Sequence, residues 1–326
     1  MTEKKGASSP RIVFMGTPEF AVASLEALVE AGCNVVAVIT APDKPAGRGM
    51  KLNESAVKRW AVEQGLPVLQ PEKLKNLLFL EELRSWHADL QIVVAFRMLP
   101  ELVWNGPPMG TINLHGSLLP QYRGAAPINW AIINGESQTG VTTFKLQHEI
   151  DTGNILLQEP LSIGTDETAG ELHDRMKEAG ARLLVKTVQG LTDGSLQETP
   201  QQLITPSSSE GQPHLLKHAP KIFTDDCRIN WNTSVAQVYN LIRGLSPYPA
   251  AFTQLNGKLF KIYQAEKVIV HPAVAPGDYE TDNKTFLRFA CPDGCIAVKE
   301  VQPEGKKRMT VEDFLRGFRA TNQISP

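Results

Sequence analysis

Apolar runs alternate with amphipathic segments over the first 190 residues. Runs that are apolar at nearly every position are typical of strands buried on both faces of a parallel sheet. Apolar residues three and four apart are typical of helices that cover such a sheet. The predicted strands are RIVFMG (11–16), NVVAVITAP (34–42), LPVLQP (66–71), DLQIVVAF (89–96), GTINLH (110–115) and GVTTFKL (140–146). The predicted helices are 19–32, 54–65, 77–88 and 167–191.

This alternation predicts an α/β domain over residues 10–190 with a mostly parallel sheet. Ligands of such sheets bind at the carboxyl ends of the strands. The segment Gly116–Arg123 leaves one of these ends, so we expect it to contribute to a site.

A different pattern follows the long helix. Residues 191–220 are rich in Ser, Gln, Pro and Gly and predict a linker. After one helix (233–245), short apolar runs are separated by turns such as NG and PDG. We therefore predict a small β-rich domain, of barrel type, over residues 221–326.

The two predicted domains also differ in net charge. From residue 215 onward the chain has 15 Lys and Arg against 11 Asp and Glu, whereas the preceding part has 18 against 24. This asymmetry favours an anionic partner for the second domain, although uneven composition without a partner is equally compatible. No apolar run is long enough for a membrane span, and the polar start lacks the apolar core of a signal peptide. We expect a cytoplasmic monomer whose four cysteines are free thiols and bind no metal.

The strand 110–115 ends in polar side chains. Asn113 and His115 are two residues apart, so they share one face. An amide N–H and a protonated imidazole N–H can both donate to one oxygen, which is how an oxyanion is stabilised. Asp151, in the sequence IDTG, is a candidate for orienting the imidazole or moving its proton. The alternative is a core histidine satisfied by a neighbour.

Two glycine-containing segments lead to opposite interpretations. MGTPEF follows the first strand but lacks the further glycines of a dinucleotide fingerprint, which argues against a nicotinamide or flavin cofactor. The loop APDKPAGRGMKLNESAVK (41–58) is long and basic, with Lys44, Arg48 and Lys51. Long loops in compact folds tend to be functional, so we interpret it as a phosphate or nucleic-acid contact rather than a solvated excursion.

Taken together, these motifs resemble the folate-dependent formyltransferases. The resemblance runs from about Arg11 to Gly317, and its most specific part is the combination of NxH, SLLPxxRG and DTG. It is closest to the members that formylate initiator methionyl-tRNA. It implies a Rossmann-like first domain that binds 10-formyltetrahydrofolate and an OB-like second domain that contacts tRNA.

The resemblance also implies roles for single residues. The catalytic residues are Asn113, His115 and Asp151. The folate-binding residues are Ser117, Leu118, Leu119 and Pro120, together with Phe96, Arg97 and Leu99 in a loop that is shorter here than in many members. The residues expected to contact tRNA are Lys44, Arg48, Lys51, Lys306, Lys307 and Arg308.

The expected reaction is direct attack of the amino group on the formyl carbon, without a covalent enzyme intermediate. Related proteins suggest three alternative functions: formyl transfer to a nucleotide-linked amino sugar, formyl transfer to glycinamide ribonucleotide, and RNA binding by a non-catalytic relative. The basic loop argues against the first of these, the long C-terminal part against the second, and the intact Asn–His–Asp set against the third.

Overall fold

A computed structural model of the chain describes residues 9–46, 51–204 and 215–318. The chain divides into two compact units, and each is described by itself. The first unit contains the residues up to Arg123, Gly140–Leu161 and His173–Lys217, and the second contains Gly124–Thr139, Ser162–Leu172 and the residues from His218. The domain and linker boundaries predicted from the sequence stay a prediction.

Most elements of the first 200 residues coincide with the predicted ones. The strands are β1 (Ile12–Gly16), β2 (Val35–Ile39), β3 (Lys44–Ala46), β4 (Lys51–Asn53), β5 (Val68–Leu69), β6 (Leu90–Val94), β7 (Thr111–His115), β8 (Arg123–Gly124), β9 (Gln138–Lys145) and β10 (Ile155–Ser162). The helices are α1 (Glu19–Glu30), α2 (Ala56–Glu63), α3 (Leu77–Ser85), α4 (Glu101–Trp104), α5 (Pro127–Ile133) and α6 (Ala169–Asp193). The apolar pattern did not predict β10 or the short α5.

The main sheet has seven strands in the order β10-β9-β7-β6-β1-β2-β5. Neighbours from β7 to β5 are parallel, whereas β9 is antiparallel to β7. The prediction of a mostly parallel sheet is therefore confirmed. Strand β1 passes into α1 at Gly16, where a Cβ atom would lie 2.6 Å from that of Ala21, so this glycine serves a tight turn.

Both faces of this sheet are covered. On one face, Val13, Met15 and Val93 pack in a core to which α3 contributes Phe79 and Leu83. The opposite face packs on α6. There the methyl group Cδ2 of Leu114 lies so close to Gly180 that a Cβ atom at this glycine would be 2.7 Å away. Burial on both sides explains why the strands are apolar throughout.

The second unit is β-rich, as predicted. Its later elements are β11 (His218–Ala219), α7 (Val235–Gly244), β12 (Ala251–Leu255), β13 (Lys258–Val268), β14 (Tyr279–Thr281), β15 (Leu287–Cys291), β16 (Gly294–Pro303), β17 (Met309–Thr310) and α8 (Val311–Leu315). The strands form an antiparallel sheet in the order β12-β13-β16-β15-β14, and β17 pairs with β16. Helix α7 begins with a reciprocal Ser234–Gln237 capping box and packs on this sheet.

Candidate active site

Asn113 and His115 lie at the carboxyl end of β7, with their side chains on the same face of the sheet. Asn113 is next to Val93 of β6 and opposite Phe144 of β9. The paired positions on both neighbouring strands are thus apolar, whereas β7 has a polar side chain here. Among the residues that the structure describes, no group forms a hydrogen bond with its carboxamide. The amide is therefore available to a ligand.

The His115 ring is 7% exposed and faces a polar group at each nitrogen. Its Nε2 lies 2.9 Å from the carbonyl oxygen of Tyr122. A carbonyl oxygen only accepts, so Nε2 carries a proton and donates it. Its Nδ1 lies 3.9 Å from Oδ2 of Asp151, and the ring meets Phe144 edge to face. Only Nδ1 is therefore available for proton exchange or for donation to a ligand.

Asp151 reaches His115 from the loop that follows β9. Its backbone φ is 55°, in the left-handed region that aspartate tolerates better than most residues. Two residues later, a Cβ atom on Gly153 would lie 1.6 Å from the carbonyl oxygen of Lys145. Only glycine permits this approach. The backbone conformation therefore accounts for the Asp of the IDTG sequence, and the lack of space for a side chain accounts for its Gly.

The turn Ser117–Pro120 is braced from within. The Ser117 hydroxyl donates to the carbonyl of Gln121 at 2.6 Å, and Leu119 is buried against Phe144 and Ile155. This leaves the Ser117 hydroxyl and the Leu119 side chain little scope for ligand contact. Leu118 is half-buried and Pro120 is buried. The folate role of all four residues stays a prediction.

Side chains of β9 and β10 form hydrogen bonds with the backbone of the same turn. Thr142 donates to the carbonyl of Ser117 at 2.6 Å and accepts from the amide of Leu119 at 3.2 Å. Gln158 donates to the carbonyl of Leu119 at 2.9 Å. Sequence reasoning missed both Thr142 and Gln158, because polar residues within a strand do not show from the sequence which groups they contact.

The loop after β6 contains the other predicted folate residues. Phe96 and Leu99 are half-buried and pack on the core under β1 and β2. The guanidinium of Arg97 stacks on the Phe96 ring at 5.5 Å and donates to the carbonyls of Pro71 and Glu72, the latter at 2.9 Å. Burial lowers the pKa of Arg97. These contacts engage Arg97 in anchoring the loop, and its contact with folate stays a prediction.

Within the basic loop, the short strands β3 and β4 pair antiparallel, and the last three residues of the predicted loop belong to α2. Lys44 is exposed, Lys51 lies in β4, and Arg48 lies outside the described residues. The base of the loop is held by Asp43, which binds the ammonium of Lys58 and accepts from Gln70 at 2.7 Å. The pKa of Asp43 lies below its usual value, mainly because of the hydrogen bond from the Lys58 ammonium and to a lesser extent because of the one from Gln70. Sequence reasoning missed this anchor.

In the second unit, Lys306 and Lys307 are exposed in the turn between β16 and β17. Neither forms an ion pair within the part of the chain that the structure describes. Arg308 is engaged differently, because it pairs with Glu300 and lies over the Tyr263 ring at 4.4 Å. The two lysines are the freer cations of this turn.

The described ranges contain no group of three or more His, Cys, Asp or Glu side chains placed to hold a metal ion. They also contain no helix that is both long enough and apolar enough to cross a membrane.

Comparison with known families matches both parts of the chain. The formyl transferase model matches residues 10–188, and the model of the formyl transferase C-terminal domain matches residues 221–319. The chain belongs to the formyl transferase family. The resemblance of its motifs to formyltransferases is thereby confirmed.

Relatives within the formyl transferase family align along almost the whole chain. A methionyl-tRNA formyltransferase of Parabacteroides distasonis is 56% identical over 315 residues, which cover 95% of this chain and 96% of the relative. One of Bacteroides fragilis is 52% identical over 316 residues, with the same coverage.

Solved structures show the same fold at low identity. WlaRD, a sugar 3N-formyl transferase, has a TM-score of 0.63 at 19% identity and covers 92% of this chain and 99% of its own. HypX from Aquifex aeolicus, in complex with tetrahydrofolic acid, has a TM-score of 0.61 at 18% identity, over 95% of this chain and 48% of its own.

Proposed function

We propose that this formyltransferase transfers the formyl group of 10-formyltetrahydrofolate to the α-amine of initiator methionyl-tRNA. The observation that carries the proposal is 50–56% identity, along nearly the whole chain, to methionyl-tRNA formyltransferases. The proximity of His115 and Asp151 supports the same chemistry. A monomeric state and a cytoplasmic location stay predictions from the sequence.

In the proposed reaction, the amine nitrogen attacks the formyl carbon and the carbonyl oxygen becomes an oxyanion. Asn113 donates an N–H of its carboxamide to that oxygen. The Nδ1–H of protonated His115 is the second donor, since Nε2–H is already donated to Tyr122. Removing one such donor typically costs on the order of 3 kcal/mol in the transition state.

Collapse of the tetrahedral intermediate breaks the bond between the formyl carbon and N10 of the folate. The amine loses one proton and N10 gains one, so tetrahydrofolate leaves neutral at that nitrogen. The Asp151 carboxylate is placed to accept the proton of the amine, and Nδ1–H of His115 to supply one to N10, after which the proton passes from Asp151 to His115. The carboxylate also stabilises the protonated ring by its opposite charge. The amine is the nucleophile, so no side chain forms a covalent intermediate.

A formyl-transfer assay tests the proposal. The purified protein is mixed with 10-formyltetrahydrofolate and either initiator methionyl-tRNA or a UDP-linked amino sugar. We expect formylmethionyl-tRNA to form, together with one equivalent of tetrahydrofolate, and the sugar to remain unmodified. Turnover of the sugar but not of the tRNA would overturn the proposed acceptor. Transfer to neither would overturn the proposed reaction.

A further inference from the structure

A buried carboxamide outside the Asn–His–Asp set joins two loops of the site. Gln201 is 2% exposed and lies in a single 3₁₀ turn, Gln201–Leu203, after α6. Its Nε2 donates to the carbonyl oxygens of Asp151 and Gly153, both at 2.8 Å. Its Oε1 accepts from Nε and Nη2 of Arg123, at 3.1 and 2.6 Å. Both ends of the amide are therefore engaged.

The two loops that Gln201 joins are the ones that face the two nitrogens of His115. Asp151 faces Nδ1, and the carbonyl of Tyr122, the residue before Arg123, accepts from Nε2. Both Asp151 and Tyr122 have positive φ values, 55° and 58°. Such conformations persist only where the surroundings hold them. Gln201 supplies contacts of that kind to both loops.

The segment that contains Gln201 is itself fastened to the sheet. Thr199 and Ile155 exchange two backbone hydrogen bonds at 2.8 Å. Glu198 pairs with Lys145 at 2.6 Å and accepts from Asn154 at 3.0 Å. The Lys145 ammonium is the main reason why the pKa of Glu198 lies below its usual value. Gln201 thus extends from a fixed support, as precise positioning requires.

We infer that Gln201 is a positioning residue of the formyl-transfer site, which sets the placement of Asp151 and of the Tyr122 carbonyl around His115. The inference rests on the proposed function. Gln201 contacts no reacting atom and acts through its neighbours. A displacement of about 1 Å at a catalytic group can lower the rate about 100-fold, so loss of these four hydrogen bonds is expected to reduce kcat.

A double-mutant cycle tests this role. Gln201→Met keeps the length of the side chain but loses all four hydrogen bonds, and we expect kcat to fall about tenfold or more. If the residue acts through Asp151, the same change in an Asp151→Asn background is expected to lower the rate less than about threefold. A purely structural role would lower the rate by the same factor in both backgrounds, and that result would overturn the inference.

Two further variants complete the test. Gln201→Glu keeps the acceptor for Arg123 but loses the donors to the Asp151 loop, so we expect a low kcat with little change in the KM for folate. Gln202→Met, at the exposed next position, is expected to leave kcat unchanged. If neither Gln201 variant folds, as judged by thermal unfolding, the residue is structural and the inference fails. An inactive wild-type protein would instead refute the proposed function.

Discussion

Nδ1 of His115 lies 3.9 Å from Oδ2 of Asp151. The two side chains are only 8% and 11% exposed. An opposite charge at this distance interacts more strongly in such a place than at the open surface, because less water screens it. The pair is therefore the first target for mutation.

Asp151→Asn is expected to lower kcat about 100-fold or more, because the neutral amide neither stabilises the protonated ring nor accepts a proton. Single-turnover formylation of methionyl-tRNA measures the loss. Glu149→Gln removes a charge from an exposed position of the same loop and is the control. Asp151→Asn turnover within threefold of wild type would remove Asp151 from the mechanism.

Asn113→Ala is expected to slow the chemical step by a factor of about 100 to 1,000, the usual effect of removing one oxyanion donor. The KM for folate is expected to change little, because the hydrogen bond strengthens only as charge develops on the oxygen. Steady-state kinetics separate the two parameters. Asn105→Ala, at an exposed site after α4, should match wild type. A rise in the KM for folate alone would assign Asn113 to ground-state binding.

Gly153→Ala is expected to lower the free energy of unfolding by about 2 kcal/mol or more, because its methyl group would overlap the backbone of Lys145. Chemical denaturation measures the change. At Gly106, a Cβ atom would meet nothing within 4 Å. Gly106→Ala is thus the matched control and is expected to be nearly neutral. Equal stability of the two variants would show that the loop accommodates a side chain at residue 153.

Asp43→Asn is expected to lower the melting temperature at pH 7, and the difference from wild type should shrink toward pH 3. The pKa of Asp43 is lowered in the folded state, so the folded protein binds fewer protons here than the unfolded chain. Its contribution to stability is complete above the unfolded pKa of about 4 and is lost as pH falls through the lower folded pKa. Thermal unfolding between pH 7 and 3 checks this.

The control for Asp43→Asn is Glu63→Gln, an exposed position in α2. Its effect on the melting temperature is expected to be small and independent of pH. Because Asp43 anchors the base of the basic loop, Asp43→Asn should also raise the KM for tRNA more than the KM for folate. A difference in melting temperature that is as large at pH 3 as at pH 7 would exclude the carboxylate as its cause.

Replacing both Lys306 and Lys307 by Ala is expected to weaken tRNA binding and to reduce the slope of log K against log salt by about 2, because each lysine would no longer neutralise a phosphate. Binding isotherms at several salt concentrations measure the slope. The control replaces Lys258 and Lys284, two exposed lysines of the same unit. An equal reduction in both double variants would indicate a diffuse charge effect rather than direct binding at the turn between β16 and β17.

The pattern of apolar residues along the chain was sufficient to predict the helices and strands that bury their side chains in a regular pattern. Continuous apolar runs predicted the strands β1, β2, β5, β6, β7 and β9 of the main sheet, and the two-residue repeat placed Asn113 and His115 on one face of β7. Motif spacing indicated the family. Two elements without such a pattern were not predicted. Strand β10 is buried only at its first two residues and contains a proline, and α5 is too short for a helical pattern to emerge.

The surroundings of His115, by contrast, depend on the three-dimensional fold. The amide of Gln201 donates to the carbonyl of Asp151 and accepts from Arg123, so these hydrogen bonds connect residues that are far apart in the chain. The loops that contain these residues have no repeating pattern. Sequence reasoning assigned Gln201 to a linker, because its neighbours are polar and irregular. Its burial and its partners are set by how the chain folds back onto the sheet, which local residue preferences do not encode.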